Sequence, residues 1–550
     1  TFTQPSAPAS PINLVFSAVT TTGMTLTWDD NSTNESNFLV YRSTDNIVFT
    51  LVNTQASTSV ATTGTPYTYN ATGLFSNQIY YWRVFAGNAN CGGAPLTGNQ
   101  TTLSGSMCGT YTIGPTGAYT SLTAAVAAVA TNGVNCPLIF EFQAAYVSTV
   151  ETFPIVIPFL GNGPATSITA RPELGATNLS ITSASTQTID FSASSYFSFD
   201  GRPGGVGTVR QLTIANTSTT GNAARFINGA INCGFNYCNI RGVNTSTVNG
   251  VVLFSTASAT SGNINNSITN CDVYNNLTQP ANLIYSSNAA ALFNTGNIIS
   301  NNTFHDWFLA SGQTSAISVT TGNTAWTISN NSFYQTATRT YTVGASHYGI
   351  FINSTTANTG SYIVTGNSVG GTAALCGGTA YTTGGTVASR FVAINITTTA
   401  GGTSSVQGNT IRNFNFSTTS GTTTTNGIWC GINITGASAN VNVGTITPNV
   451  IGSNTANGQI VTSTSTTGGM TVGINSSASG VVTISNNQIG GITANTTTGT
   501  ISSSIFWVQV SSGSSVTISN NIIGSTTLAS SLINAPSTSV TGGHVTGIFS

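Results

Sequence analysis

VVTISNNQIGG (481–491) has the texture of low-complexity filler, yet its pattern returns as TISNNIIGS (517–525), WTISNNSFY (326–334) and IISNNTFHD (298–306). The second slot of each SNN-like pair serves as a reference point. It is filled by Cys238, Cys271, Asn302, Asn331, Asn367, Asn409, Asn449, Asn487 and Asn521, at intervals of 29 to 42 residues. Periods of this length are typical of solenoids. Three positions earlier stand Phe235, Ile268, Ile299, Ile328, Val364, Val406, Ile446, Ile484 and Ile518. Two positions later stand Ile240, Val273, Phe304, Phe333, Val369, Ile411, Ile451, Ile489 and Ile523. A separation of five between inward residues breaks the two-residue alternation of one strand. Two strands joined by a bend at the Asn restore it. Another strand precedes each bend: VVLFS (251–255), AISVT (316–320), GIFIN (349–353), FVAINIT (391–397), GINIT (431–435), GINSS (473–477) and FWVQV (506–510).

The physical reading is a parallel β-solenoid. A single coil cannot bury its own apolar edge, so coils stack at about the 4.8 Å strand spacing. Asn tolerates the bend, and stacked amides donate and accept along the column, so few buried polar groups stay unpaired. This column resembles the asparagine ladder of right-handed parallel β-helices of the pectate-lyase type. GHVTGIFS (543–550) reads as the start of another strand, so the chain is expected to continue beyond Ser550.

Residues 1–103 have a different texture. GMTLTWDD (23–30), NFLVYRS (37–43), PYTYNAT (66–72) and QIYYWRVFAG (78–87) alternate apolar and polar residues between Gly/Asn/Ser breaks. Tyr80, Trp82, Val84 and Ala86 share a parity that should face a core, with Trp28 opposite. Leu74 followed by Tyr80 resembles the tyrosine corner of a fibronectin type III domain. That resemblance implies a spacer module. SGSM (104–107) serves as a linker, and the solenoid is assigned to 108–550. SLTAAVAAVATNG (121–133) carries Leu122, Val126 and Val129 on one helical face, between Ser121 as N-cap and Gly133 as C-cap. This helix is expected to cover the first coil and protect its open edge. The expected fold class is all-β: a fibronectin type III sandwich followed by a right-handed parallel β-helix with an N-terminal capping helix.

CGTYTIGPTGAYTSLTAAVAAVATNGVNCPLIFEF (108–142) and IPFLGNGPATSITARPE (157–173) carry a further resemblance. They look like the start of the β-helix region in large secreted and surface proteins of Bacteroidetes, exported by the type IX secretion system. The resemblance implies an extracellular location and passage through that secretion machinery.

Composition narrows the function. Charged residues make up 4% of 550, against roughly 25% in an ordinary globular domain. There is no Lys, the ten cations are all Arg, and no Asp or Glu follows Trp307. No basic patch exists to neutralise phosphates, so nucleic acid is not an expected partner. No apolar run approaches the roughly 20 residues of a spanning helix, so no transmembrane segment is expected. TFTQPSAPASP (1–11) has neither a basic start nor an apolar stretch, and the chain lacks an initiator Met, as a processed mature protein would.

Eight Cys in a Lys-free, Ser/Thr/Asn-rich chain point to an oxidising compartment. Cys108 with Cys136, flanking the helix, and Cys238 with Cys271, in successive coils at the ladder position, are expected to be disulfides. Cys376 with Cys430 is a third candidate pair, and Cys91 and Cys233 are left over. With no CxxC and three His, no metal site or cofactor is expected.

A β-helix of this type suggests a polysaccharide-cleaving enzyme. Hydrolysis needs two placed carboxylates. The solenoid offers only Glu141, Glu151, Glu173, Asp190, Asp200, Asp272 and Asp306, with no adjacent pair. Asp29-Asp30 reads as a solvated strand end of the first module. Lyases of this fold commonly hold calcium with clustered Asp and use Lys or Arg as base. Lys is absent here and the Arg are scattered. No GxSxG elbow accompanies His305, His347 or His544. No catalytic residue is assigned. Ice binding requires a flat TxT array, whereas the Thr cluster in turns such as TTSGTTTTNG (418–427).

One column invites recognition. Three positions after the ladder residue the side chain should point outward, giving Arg241, Tyr274, His305 and Tyr334, then Gly370 and Arg412, with Asp272 and Asp306 beside them. Aromatic faces suit sugar rings, and Arg with Asp bonds hydroxyls. Cross-strand stacking that merely stabilises the sheet accounts for the same pattern. Asn-x-Ser/Thr sites such as Asn276 and Asn395 arise by chance in this composition. The expected function is that of a surface-associated adhesin or structural protein contacting glycans along this face, with surface polysaccharide or other cell-surface proteins as partners. The alternative is a lyase or glycoside hydrolase.

Overall fold

A coil that buries one apolar edge per strand needs identical neighbours above and below it, and the strand register supplies them. The computed structural model describes residues 6–549 except 59, 89–92, 104–106, 256–260, 290–291, 357–358, 420–426, 498–502, 512–514, 526–531 and 537–543. Cys91 and most of the SGSM stretch lie outside the described residues; Met107 already belongs to a strand, Met107–Ile113. The chain divides into two compact units. The first comprises 1–111 with 124–140 and 159–168; the second comprises 112–123, 141–158 and 169–550.

The first unit contains a fibronectin type III sandwich. Strands Ile12–Ser17, Met24–Asp29 and Pro66–Ala71 form one antiparallel sheet, and Thr50–Ala56, Asn37–Ser43, Ile79–Gly87 and Leu96–Thr101 form the other. Trp28, Tyr80, Trp82, Val84 and Ala86 are buried together, with Leu74 beside them. The Tyr80 hydroxyl accepts the Phe75 N–H at 2.8 Å, closing the tyrosine corner. Three strands went unread in the sequence: Ile12–Ser17, Thr50–Ala56 and Leu96–Thr101. They are edge strands, whose residues are exposed or half-buried, so none shows the clean buried alternation of a core strand. Asp30 is not a solvated strand end. It is fully buried, and its carboxylate accepts the Ser32 N–H at 2.9 Å.

Three long sheets of 12, 13 and 11 strands carry the β-helix, and among the described residues from Ile155 onward their strands pair in parallel, as Ile155–Ile157 with Gln187–Ser192 and Arg390–Thr397 with Trp429–Thr435 illustrate. The preceding strands read from sequence all fall in the 12-stranded sheet, as Arg390–Thr397, Trp429–Thr435 and Met470–Ser476 illustrate. Inward residues align coil over coil: Ile268, Ile299, Ile328, Val364 and Val406 in one column, Val273, Phe304, Phe333, Val369 and Ile411 in the next. All ten are buried. A fourth, six-stranded sheet, from Arg339–Tyr341 to Leu532–Pro536, was not anticipated.

The SNN pair divides its labour. The first residue takes the bend: φ is 55° at Asn270, 57° at Asn301, 55° at Asn330, 63° at Asn486 and 53° at Asn520. Gly366 and Gly408 substitute for it at φ 67° and 63°, the left-handed region where Gly and Asn cost least. The second residue builds the ladder. From Asn302 through Asn331, Asn367, Asn409, Asn449 and Asn487 to Asn521, each side-chain amide bonds the next, as in Asn331 Nδ2 to Asn367 Oδ1 at 3.0 Å and Asn367 Nδ2 to Asn409 Oδ1 at 3.0 Å.

Ile446 departs from its expected inward place. It is 84% exposed, and Val443 takes the core column between Val406 and Ile484. Residues 444–448 bulge out between strand and Asn449. Gln407 of the preceding coil staples the bulge, accepting the Ile446 N–H at 3.0 Å and donating to the Asn442 carbonyl at 3.1 Å.

The helix spans Leu122–Asn132, and Gly133 ends it at φ 72°. Its first turn is capped from afar. Glu151 accepts the N–H groups of Leu122 and Thr123 at 2.6 and 2.9 Å, where a carboxylate also meets the positive end of the helix dipole. Cys108 and Cys136 are disulfide-bonded.

The other expected disulfides are absent. Cys238 and Cys271 are buried free thiols. The Cys271 sulfur accepts the Cys238 N–H at 3.4 Å, so a thiol here does the work of a ladder amide oxygen. Burial pushes the Cys238 thiol well above its ordinary pKa. Cys376 and Cys430 are also free and lie in different parts of their coils. Cys376 follows the strand Ser368–Val369 and donates to the Thr410 carbonyl, whereas Cys430 sits in the 12-stranded sheet and donates to the Ile432 carbonyl.

Candidate functional site

Successive coils bring Arg241, Tyr274, His305 and Tyr334 into one register on the 11-stranded sheet. The Arg241 guanidinium lies 5.0 Å from the Tyr274 ring centre. Tyr274 and His305 stack at 4.6 Å and 17°, and His305 and Tyr334 at 5.0 Å and 16°. The rings are half-buried. Both faces of His305 are therefore covered by neighbours, and one face of Tyr274 by Arg241. What the strip offers is ring edges, hydroxyls and a guanidinium. The position after Tyr334 is Gly370, which ends the ring stack; it sits at φ 125°, a Cβ would fall 1.9 Å from the Arg412 carbonyl oxygen, and the turn that follows is held to the Tyr334 strand by the Leu375 N–H donating to Ser332 Oγ at 3.1 Å. Arg412, the next member of the column, is exposed.

Two carboxylates clamp the imidazole. His305 Nδ1 lies 2.9 Å from Asp306 Oδ2, and Nε2 lies 3.3 Å from Asp272 Oδ1. An acceptor at each ring nitrogen calls for a proton on both, which is the imidazolium. Burial opposes that charge, but the bonds to Asp272 and Asp306 outweigh it and raise the His305 pKa to about 9. Burial also works against the charge of Asp306, yet His305, Thr336 and Arg339 together hold its carboxyl below the usual range. Tyr334 and Tyr274 are pushed up, chiefly by burial.

Because His305 titrates higher when folded than its ordinary 6.5, its contribution to stability is complete below about pH 6.5. It is lost as pH rises through about 9, on the order of 3 kcal/mol in all. An NMR titration should place the His305 ring midpoint near 9, and a midpoint near 6.5 would remove the clamp from the account.

Sequence reasoning missed the second layer. Asp306 accepts from Thr336 N and Oγ1 at 3.0 and 2.9 Å and pairs with Arg339. Gln335 donates to the Trp307 carbonyl at 2.7 Å and accepts from Arg339 Nε. The signal was present: Arg339 follows Asp306 by 33 residues, one coil length. Two further Asn pairs, Asn266 with Asn297 and Asn263 with Asn294, were also missed, although Asn recurs three apart in both NINN (263–266) and NTGN (294–297). Asn395, read as a chance sequon, is 4% exposed; its Oδ1 accepts from Asn433 at 2.7 Å, in a column that continues to Asn475.

The remaining acids of the β-helix are committed to structure. Glu141 pairs with Arg171, Asp190 with Arg225 and Asp200 with Arg202, each at 2.7 Å. Glu173 accepts the Ala144 N–H at 2.8 Å, and Glu151 caps the helix. A groove of about 410 Å³ over the 12-stranded sheet is lined by Val248, Asn249, Leu253, Ser255 and Tyr285 among others, with no carboxylate. No metal-holding group of three His, Cys, Asp or Glu occurs among the described residues. Nor is any helix among them long and apolar enough to cross a membrane.

No protein-family model and no curated protein matches the chain. Solved structures similar to it include a computationally redesigned β-sandwich protein, 24% identical over 17% of this chain and 95% of that one, with a TM-score of 0.15. The FN3 domain of human collagen XX is 23% identical over 18% of this chain and 100% of its own, also with a TM-score of 0.15. A variant designated FN3tt is 16% identical over 18% and 97%, again at 0.15.

Proposed function

We propose that this protein is an extracellular, surface-associated adhesin or structural protein whose β-helix contacts glycans along the Arg241–Tyr274–His305–Tyr334 strip. The observation that carries the reading is the strip itself: cationic and aromatic groups in four consecutive coils, bordered by Asp272. Tyr hydroxyls, Arg241 and Asp272 supply donors and acceptors for sugar hydroxyls, and the aromatic edges suit a pyranose C–H surface. The Cys108–Cys136 disulfide supports an oxidising location. The resemblance carried by residues 108–142 and 157–173 supports a bacterial surface reached by type IX secretion. Surface polysaccharide or other cell-surface proteins are the partners that follow from this reading.

On a glycan array, Tyr274→Ala combined with Tyr334→Ala is expected to cut binding at least about tenfold, two aromatic contacts being lost. An unchanged profile removes the site. The alternative, a polysaccharide lyase or hydrolase, requires carboxylates free to exchange protons. Asp306 already serves His305, Thr336 and Arg339, which favours binding over catalysis. Reducing-sugar and unsaturated-product assays on a polysaccharide panel test that alternative directly.

A further inference from the structure

The sandwich carries a second exposed group of aromatic and cationic side chains. Strand alternation turns Leu39 and Tyr41 of Asn37–Ser43, and Tyr81, Arg83 and Phe85 of Ile79–Gly87, away from the core. Cross-strand register sets Leu39 beside Phe85 and Tyr41 beside Arg83. Arg83 and Tyr81 continue to Thr97 and Asn99 on the next strand. Phe49 folds over this surface from the loop that follows, with the Arg83 guanidinium 3.7 Å from its ring centre. Asp45 builds that loop, accepting from Ser43 Oγ at 2.7 Å and from the Ile47 and Val48 N–H groups at 2.9 Å.

Arg83 and Phe49 then form a ridge between two concavities. One, of about 320 Å³, is lined by Leu39, Tyr41 and Phe85. The other, of about 380 Å³, is lined by Asn46, Tyr81, Thr97 and Asn99. Four other Arg of the chain are paired with carboxylates. Among the described residues the Arg83 guanidinium has no hydrogen-bond acceptor and no carboxylate partner; it rests on the Phe49 ring. A planar guanidinium held in place with its donors unspent is matched by a carboxylate, which it bonds in a fork. Aromatic rings on one side suit sugar C–H faces, and amides and hydroxyls on the other suit sugar hydroxyls.

We infer that this face of the sandwich binds a carboxylate-bearing sugar, a uronic acid residue of a polysaccharide, with its carboxylate on Arg83. An acidic peptide offers the carboxylate but not the ring of hydroxyls that the Asn46, Tyr81, Thr97 and Asn99 side calls for.

The test uses the 550-residue chain and calorimetric titration with two probes: a tetrasaccharide ending in glucuronic acid and the same tetrasaccharide ending in glucose. The acidic probe is expected to bind about tenfold or more tightly, and Arg83→Gln is expected to erase that preference. Thr97→Glu, at an exposed position directly opposite Arg83, should erase it too by supplying a competing carboxylate, so a folding defect in one variant does not blunt the test. Tyr274→Ala with Tyr334→Ala should leave the preference intact, separating this site from the strip. Equal affinity for the two probes, or a preference that survives Arg83→Gln, overturns the assignment. So does binding of hexaglutamate in place of both sugars.

Discussion

Asn367→Ala is expected to lower the stability of the β-helix by about 4 kcal/mol, although it removes only a short polar side chain. Asn367 is fully buried and sits mid-column. Its Oδ1 accepts both the backbone N–H and the Nδ2 of Asn331, at 3.0 Å each. Its Nδ2 donates to the Ile328 carbonyl at 2.9 Å and to Asn409 Oδ1 at 3.0 Å. Deletion leaves the Asn331 N–H and Nδ2 and the Ile328 carbonyl short of partners in a space closed to water, at about 1–3 kcal/mol for each unpaired group, partly relieved by relaxation. Urea denaturation followed through the β-helix transition measures the loss. A cost under about 1 kcal/mol would mean that the amide column contributes little. Asn521→Ala provides the contrast, since its place in the outermost described coil passes no amide onward, and its cost should be smaller.

Asp306→Ala is the second large effect, about 3–5 kcal/mol. Asp306 and Arg339 are 7% and 6% exposed, and removing the carboxylate strands a guanidinium away from water with Gln335 as its remaining partner. It also takes one of two anions from His305. The variant should therefore move the His305 midpoint down from about 9 as it loses stability, a pairing of effects that simple loss of packing does not produce. The wild-type pH profile has a second arm. Asp306 titrates below its ordinary 3.8 when folded, so its contribution is complete above that value and is lost as pH falls through the lowered one. Asp306→Ala should flatten both arms, and a profile matching wild type would refute the cluster as the source of pH dependence.

The parts of this architecture that repeat were legible, because repetition states a physical requirement several times over. Nine reference positions sufficed to recover the ladder and the two apolar columns beside it. Ile446 misled because spacing was counted back from Asn449, and nothing in NVGTITPN (442–449) marks which apolar residue keeps the register. Cys238 and Cys271 misled in another way. Their spacing meets the distance demand of a disulfide, but distance is silent about whether a sulfur is already engaged as a hydrogen-bond acceptor. The six-stranded sheet was invisible because strands such as Tyr381–Gly385, YTTGG, lack apolar alternation. At the strip, the column order was readable from coil length, whereas the mutual covering of the ring faces depends on side-chain angles that spacing does not encode.

The bulge at 444–448 has a practical corollary. Here the spiral absorbs surplus residues on its outside without disturbing Val443 or Asn449 to either side, because Gln407 anchors the excursion from the preceding turn. That makes the tip around Ile446 a natural splice point: a foreign epitope grafted there should be displayed outward by a scaffold whose rungs never register the addition.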